Sequence, residues 1–319
     1  MIIGLDNGNS CTKTASTSTA SGYTKHTNLP FGVDKYLKYY GEYYVPAEPF
    51  PYTQDKTLDQ KMLHLSIFAI ADEIITRLKA NGVNSEQELI EKINSIKEIT
   101  LGVGLPPAHF ALKEKIIHYF KTYMGNGINY EFCGYKFSYR LKELFILPQD
   151  YAAIVTDHDN SISTNYEEFL GIDIGGYTAD VVNVEQKKPK GIFKSLPLGV
   201  LCFYRTAVDV VMNETGIQLK ASDIESVIRN RKNAIPADCT KIIHEQAGLW
   251  VEKIVNGLSE AGYELRTTPC LFLGGGALLF APYISKNTML RTYDIIQNPC
   301  ANAIGYEKLI RMQLKARQQ

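Results

Sequence analysis

The chain has 319 residues, enough at roughly 150 per domain for two domains with cores of their own, and its 45% hydrophobic and 21% charged content with 24 Gly and 13 Pro excludes collagenous, low-complexity and disulfide-scaffold classes. Its 34 Lys plus Arg balance 34 Asp plus Glu, so no net field draws it to phosphate backbones or anionic lipid, and neither direct nucleic-acid binding nor a membrane partner is expected. The six cysteines are scattered, with no Cys-x-x-Cys pair from which to build a zinc site, and are expected as reduced thiols.

In chain order, the opening MIIGLDNGNS reads as a strand over residues 2–6 and lacks the basic n-region of a secretory signal, which points to a cytoplasmic protein. An aromatic cluster follows (Tyr36, Tyr39, Tyr40, Tyr43, Tyr44, Phe50, Tyr52), with the character of core packing, a mobile lid or a subunit contact. Met62, Leu63, Ile67, Ile70, Ile74 and Leu78 recur at helical spacing, predicting a long helix over residues 59–82 that stops at Gly82. Further helices are predicted over 85–95 and 109–124, with strands over 99–103 and 143–147. The second half predicts strands over 169–173 and 270–273. Its helices fall at 200–215, 222–230, 238–262 and 301–315, with Ile242, Ile243, Leu249, Trp250, Ile254 and Leu258 as the buried stripe of the longest. Strands alternating with helices make this an α/β chain. The most apolar window, residues 270–284, is too short to span a bilayer.

An internal repeat carries most of the functional information. Ile-Ile-Gly-Leu-Asp-Asn-Gly-Asn-Ser-Cys-Thr-Lys at residues 2–13 is echoed by Phe-Leu-Gly-Ile-Asp-Ile-Gly-Gly-Tyr-Thr-Ala-Asp at 169–180, and aligning Asp6 with Asp173 sets the copies 167 positions apart. Each is an apolar strand ending in Asp-x-Gly, then small polar residues, then a second strand. Glycine permits a tight turn whose backbone N–H groups can approach an anion, and the aspartate projects into the same space. A single such turn is a common hairpin feature. Two at domain-length spacing suggest a grip on a phosphate chain. A third signal, Gly274-Gly275-Gly276, joins a buried strand to an apolar helix start, where bare backbone can face a flat or anionic ligand. Neither Gly-x-Gly-x-x-Gly with its ribose acid nor a Walker A sequence is present.

These residues resemble the superfamily of actin, heat-shock chaperone and sugar-kinase ATPases. The resemblance runs through five ordered segments: Asp6-Asn7-Gly8-Asn9 with Lys13 as a first phosphate loop, Leu147 to Ala153 as a first connecting helix, Asp173 to Asp180 as a second phosphate loop, Gly274-Gly275-Gly276 as an adenosine motif, and Asn298 to Tyr306 as a second connecting helix. Asn9, the Gly104-Leu105-Pro106 turn and the Ala-Asn-Ala-x-Gly-Tyr run at 301–306 are similar to the bacterial and archaeal actin-like branch, particularly plasmid-segregation proteins of the ParM type.

The resemblance implies an actin-like α/β fold of two lobes of duplicated mixed-sheet domains, residues 1–155 completed by the helix at 299–319, and residues 156–298, closing over Mg-ATP or, alternatively, GTP. It implies that Asp6 and Asp173 hold hydrated Mg²⁺ and that Lys13 meets the terminal phosphates. Gly8, Asn9, Gly175, Gly176 and Thr178 would line the phosphates, Gly274, Gly275 and Gly276 the adenosine, and Asp180 would support the second loop. Gln149 would orient the attacking water with Asp173 as its catalytic partner, where many ParM-type relatives carry Glu and actins carry Gln. The implied activity is ATP hydrolysis coupled to self-association into filaments, linked to plasmid DNA through an adaptor protein at a centromere-like site. A small-molecule kinase of the same fold, sugar- or pantothenate-type, and a chaperone-like ATPase that does not polymerise are the alternatives.

Overall fold

The computed structural model describes every residue except 54, 157–160, 187 and 319, and the chain in it divides into two units, Met1–Thr156 with Cys300–Gln319, and Asp157–Pro299. The first unit runs β1 (Ile2–Asn7), β2 (Cys11–Lys13), β3 (Ser18–Ala20), β4 (Tyr23–His26), β5 (Leu37–Tyr39), β6 (Glu42–Pro46), α1 (Lys61–Ala80), α2 (Glu86–Ser95), β7 (Glu98–Leu105), a 3-10 segment (Pro107–Leu112), α3 (Lys113–Met124), β8 (Ile128–Phe132), β9 (Tyr135–Pro148) and α4 (Tyr151–Thr156). The second holds α5 (Ser161–Asn165), β10 (Glu168–Ile174), β11 (Ala179–Glu185), β12 (Lys188–Leu196), α6 (Val200–Thr215), α7 (Ala221–Ile228), α8 (Ala237–Glu260), β13 (Cys270–Leu273), α9 (Gly274–Ile284) and β14 (Tyr293–Ile295). The last helix, α10 (Ala301–Ala316), belongs to the first unit.

Among the described residues the first unit carries a sheet in the order β3-β2-β1-β7-β9-β8-β5-β6-β4. Its centre, β1-β7-β9, is parallel and buried on both faces, which is why β1 and β7 read as near-continuous apolar runs. Helix α10 lies directly on this centre, where Gly4 is required because a Cβ would stand 2.0 Å from the Ala303 carbonyl oxygen. On α1, Leu63, Ile67, Ile70 and Ile74 form the buried stripe, and the helix stops as predicted before Gly82, whose φ of 91° a side chain would oppose.

Some expectations change in detail, and the tyrosine cluster is resolved among its alternatives. The helix expected from 109 begins as a 3-10 segment and becomes α-helical only at Lys113, because the paired prolines ahead of it hold the chain in a tighter entry; the side chain of His109 lies outside the described residues. Strand β9 starts at Tyr135, eight residues before the predicted strand, since Phe137, Tyr139 and Leu141 alternate inward with exposed Lys136 and Arg140 while it pairs antiparallel with β8 before joining β7. The tyrosine cluster is built on strands: Tyr39 and Tyr44 are core residues, and Tyr40 is 86% exposed in a two-residue turn with Gly41, both at positive φ.

The second unit has the sheet order β12-β11-β10-β13-β14. Helix α8 buries Ile243, Ala247, Trp250, Val251, Ile254 and Leu258, and Trp250 donates its indole N–H to the Leu198 carbonyl at 3.1 Å. Leu249, predicted in the stripe, is 47% exposed because it sits about 100° around the helix from Trp250. All six cysteines are free thiols.

Candidate functional site

The two Asp-x-Gly segments fold as antiparallel strand pairs with one register. Asp6 stands opposite Lys13 and Asn7 opposite Thr12 across β1-β2; Asp173 stands opposite Asp180 and Ile174 opposite Ala179 across β10-β11. Each pair of strands is therefore closed by four residues, 8–11 and 175–178, and each aspartate is the penultimate residue of a buried strand, itself 6% exposed. Each strand also has a parallel neighbour, β7 for β1 and β13 for β10.

Side chains and neighbouring helices pin both turns. In the first, Ser21 donates its hydroxyl to the Gly8 carbonyl at 2.7 Å and bonds the Thr12 hydroxyl at 3.0 Å; Gly8 is tight, with a Cβ there meeting the Cys11 carbonyl oxygen at 2.6 Å. Asn9 lies in the same turn, and Lys13 follows on β2. In the second, the carbonyls of Gly175 and Gly176 accept the N–H groups of Val200 and Leu201 at 3.0 and 2.7 Å, so the first turn of α6 holds the loop. Thr178 donates its hydroxyl to Asp180 at 2.9 Å, which ties the loop to β11.

Within the second unit, Gly274, Gly275 and Gly276 form the first turn of α9, where helical N–H groups lack partners of their own. The three glycines differ. Gly274 has φ 88° and its Cβ would lie 2.0 Å from an Asp173 carboxylate oxygen; a Cβ on Gly276 would lie 2.4 Å from Ile174. Gly275 meets no heavy atom within 4 Å and opens to free space. The outer glycines let α9 pack against the second Asp-x-Gly turn, and the middle one faces open space into which a side chain would project.

Gln149 follows the end of β9 and donates its N–H to the Leu105 carbonyl at 3.1 Å. The next residue, Asp150, is 3% exposed and has φ 64°, an uncommon conformation outside glycine, asparagine and aspartate. Asn302, in the first turn of α10, accepts the Asp150 N–H at 3.0 Å and directs its own amide to Asp150 Oδ1 at 3.5 Å. Asn302 was inside a recognised motif, yet nothing in the sequence marks it as the latch of the Gln149 turn.

A second residue missed by sequence reasoning is Lys56. It lies in the irregular segment between β6 and α1, and its ammonium donates to the carbonyl of Asn7, the last residue of β1. Burial pulls its pKa down to about 8 against the attraction of Asp6. A cavity of about 50 Å³ beside it is lined by Asn7, Gly8, Asn9 and Lys56 together with Phe50 and Met62.

No group of three or more His, Cys, Asp or Glu side chains gathers for a metal among the described residues. In each unit taken by itself, the buried aspartate of the turn, Asp6 or Asp173, offers oxygen donors of the kind a hard cation such as Mg²⁺ takes, a cation that keeps several waters and few protein ligands. Glu225 is bonded to Arg229 at 2.6 Å in an exposed i,i+4 pair. No helix among the described residues is long and apolar enough to cross a membrane.

No family model and no curated protein matches the sequence. Solved structures do. The chain is similar to the archaeal actin homolog Ta0583, with a TM-score of 0.71 at 17% identity over 98% of this chain and 99% of that one. Bacillus thuringiensis ParM with ATP gives 0.64 at 13% identity, covering 98% of both chains. The Alp12 filament structure gives 0.61 at 14% identity, again over 98% of both.

Proposed function

The chain has the actin-like fold, and we propose that it is an ATPase which assembles into nucleotide-dependent filaments and moves plasmid DNA through an adaptor protein bound at a centromere-like site. The observation that carries the reading is the shared register of the two Asp-x-Gly turns, each aspartate one residue from the end of a buried strand and seven before its cross-strand partner. The similar structures solved with ATP and as a filament support nucleotide use and assembly.

In this reading the backbone of Gly8, Asn9, Gly175 and Gly176 and the Thr178 turn cradle the phosphates, and Lys13 supplies a compact positive charge. Asp6 and Asp173 would hold Mg²⁺, and the cation would offset charge on the phosphate oxygens. The first turn of α9 accepts the adenosine side, with open space at Gly275 for it. Gln149 orients a water whose oxygen attacks the terminal phosphorus as the bond to the ADP oxygen breaks. Phosphoryl transfer depends on positioning and charge stabilisation, so a neutral amide suffices.

Sedimentation with ATP, with ADP and without nucleotide, alongside released phosphate, tests the reading. Pelleting with Mg-ATP or Mg-GTP and dispersal after hydrolysis are expected. A chain that never pellets and consumes ATP only when an acceptor alcohol is added is a kinase.

A further inference from the structure

The cavity beside the first Asp-x-Gly turn is lined by one lysine that the cavity's own carboxylates do not pair. Its two carboxylates are matched: Asp55 pairs with Lys115 of α3 at 3.0 Å, and Asp59 pairs with Lys61 at 2.8 Å. Lys56 lines the same cavity and makes no ion pair among the described residues. An ammonium carries three donors, and the Asn7 carbonyl is one acceptor. Burying an ammonium with one hydrogen-bond acceptor and only the longer-range attraction of Asp6 is costly, and buried charges of this kind cluster at functional sites.

The backbone around Lys56 is built to deliver that side chain. Asp55 accepts both the N–H and the hydroxyl of Thr57, closing an Asx turn around Lys56. Tyr119 of α3 donates its hydroxyl to the Asp59 carbonyl at 2.8 Å and accepts the Leu63 N–H at 3.0 Å, fixing the entry to α1. With Lys115 on Asp55, α3 therefore braces the segment on both sides of Lys56. The arm ends at the carboxyl end of β1, beside Gly8, on the strand pair that also carries Lys13.

We propose that Lys56 is a second phosphate-binding lysine of the first unit, whose ammonium exchanges the Asn7 carbonyl for the terminal phosphate of a bound nucleoside triphosphate. This rests on the reading of the Asp-x-Gly turns as phosphate turns. It makes the segment between β6 and α1 a sensor: with triphosphate bound, the loop is held by a charge-assisted bond to the phosphate, and with diphosphate it returns to the strand end. Strands β4, β5 and β6 precede this loop directly, so the phosphate state reaches the outer part of the first unit through one side chain.

An acyl-phosphate derivative of ATP tests this on the wild-type chain, because it transfers its acyl group to amines near the terminal phosphate with ATP as the leaving group. Acylation mapped by mass spectrometry to both Lys13 and Lys56, and suppressed by free ATP, is expected. In parallel, calorimetry with ATP, ADP and AMP on Lys56→Met and Lys56→Arg should show ATP affinity reduced about 10- to 100-fold in Lys56→Met, with AMP unchanged and Lys56→Arg close to wild type. ATP should also protect residues 47–60 from proteolysis in the wild type and not in Lys56→Met. Acylation confined to Lys13, or an unchanged ratio of ATP to AMP affinity in a folded Lys56→Met, overturns the role of Lys56 alone. A wild-type chain that binds none of the three nucleotides removes the phosphate-turn reading and this proposal together.

Discussion

Asn302 Oδ1 accepts the backbone N–H of Asp150 at 3.0 Å, so a residue in the first turn of α10 holds the buried, positive-φ turn that carries Gln149 from 152 positions away. Asn302→Ala leaves that N–H without its partner inside the first unit. A stability loss of about 1–3 kcal/mol is expected in denaturant melts, with slower phosphate release and ATP affinity within a few-fold of wild type. Unchanged melting and turnover would show that the turn holds itself.

Gln149→Ala separates assembly from hydrolysis. A group that positions water acts on the chemical step, where such groups are worth on the order of 10²–10⁴-fold in rate, and it need not touch a neighbouring subunit. The variant should still pellet with ATP, release phosphate far more slowly and give longer-lived polymers. Wild-type phosphate release from the variant removes Gln149 from the reaction.

Asp6→Ala and Asp173→Ala each remove a carboxylate at a strand end without opening a large apolar cavity. Both variants should keep their circular dichroism and lose Mg²⁺-dependent nucleotide binding or turnover. Wild-type Mg-ATP affinity and turnover in both place the cation elsewhere.

The three glycines of α9 predict different outcomes. Gly275→Val places its side chain in open space, so the helix should persist while ATP binding is lost in calorimetry. Gly274→Val meets Asp173 and an unfavourable φ, and should lower the melting temperature even without nucleotide. Undiminished ATP binding by Gly275→Val moves the nucleotide away from α9.

His64 gives the first unit an acid-sensitive core. It is buried with Nδ1 2.9 Å from the Tyr23 hydroxyl and with the rings of Tyr39 and Tyr44 against it, and burial lowers its pKa from 6.5 to about 4. The unfolded chain therefore binds more protons than the folded one between these values, and stability falls as pH drops from about 6.5 towards 4, by up to about 3 kcal/mol. His64→Gln should flatten that part of the profile in urea melts from pH 7 to 4. An equally steep profile in the variant assigns the acid loss to other groups.

Elements with a strong local period were legible in the amino-acid order. The stripe of α1, the span 200–215 of α6 and the apolar strand at 270–273 are each set by residues within one or two turns of each other, and the structure has them where the pattern puts them. The short strands β3, β4, β5, β6, β8, β12 and β14 were not, because three to nine residues carry too little pattern and their stability comes from a partner strand. Strand β5, for example, is held between β6, close in sequence, and β8, about 90 residues on.

The candidate site divides in the same way. Sequence alone determined the duplicated strand, aspartate and glycine, since a short continuous apolar run and a turn residue act over a dozen positions, and it determined that a glycine run opens a helix after β13. Tertiary structure alone decided that the two turns share a register, that Gly275 is open while Gly274 presses on Asp173, that Asn302 latches the Gln149 turn and that Lys56 ends at β1. These are contacts between segments far apart in the chain. Residue type permits them, but only the packing of helices on a sheet sets the distances of about 3 Å on which a hydrogen bond depends.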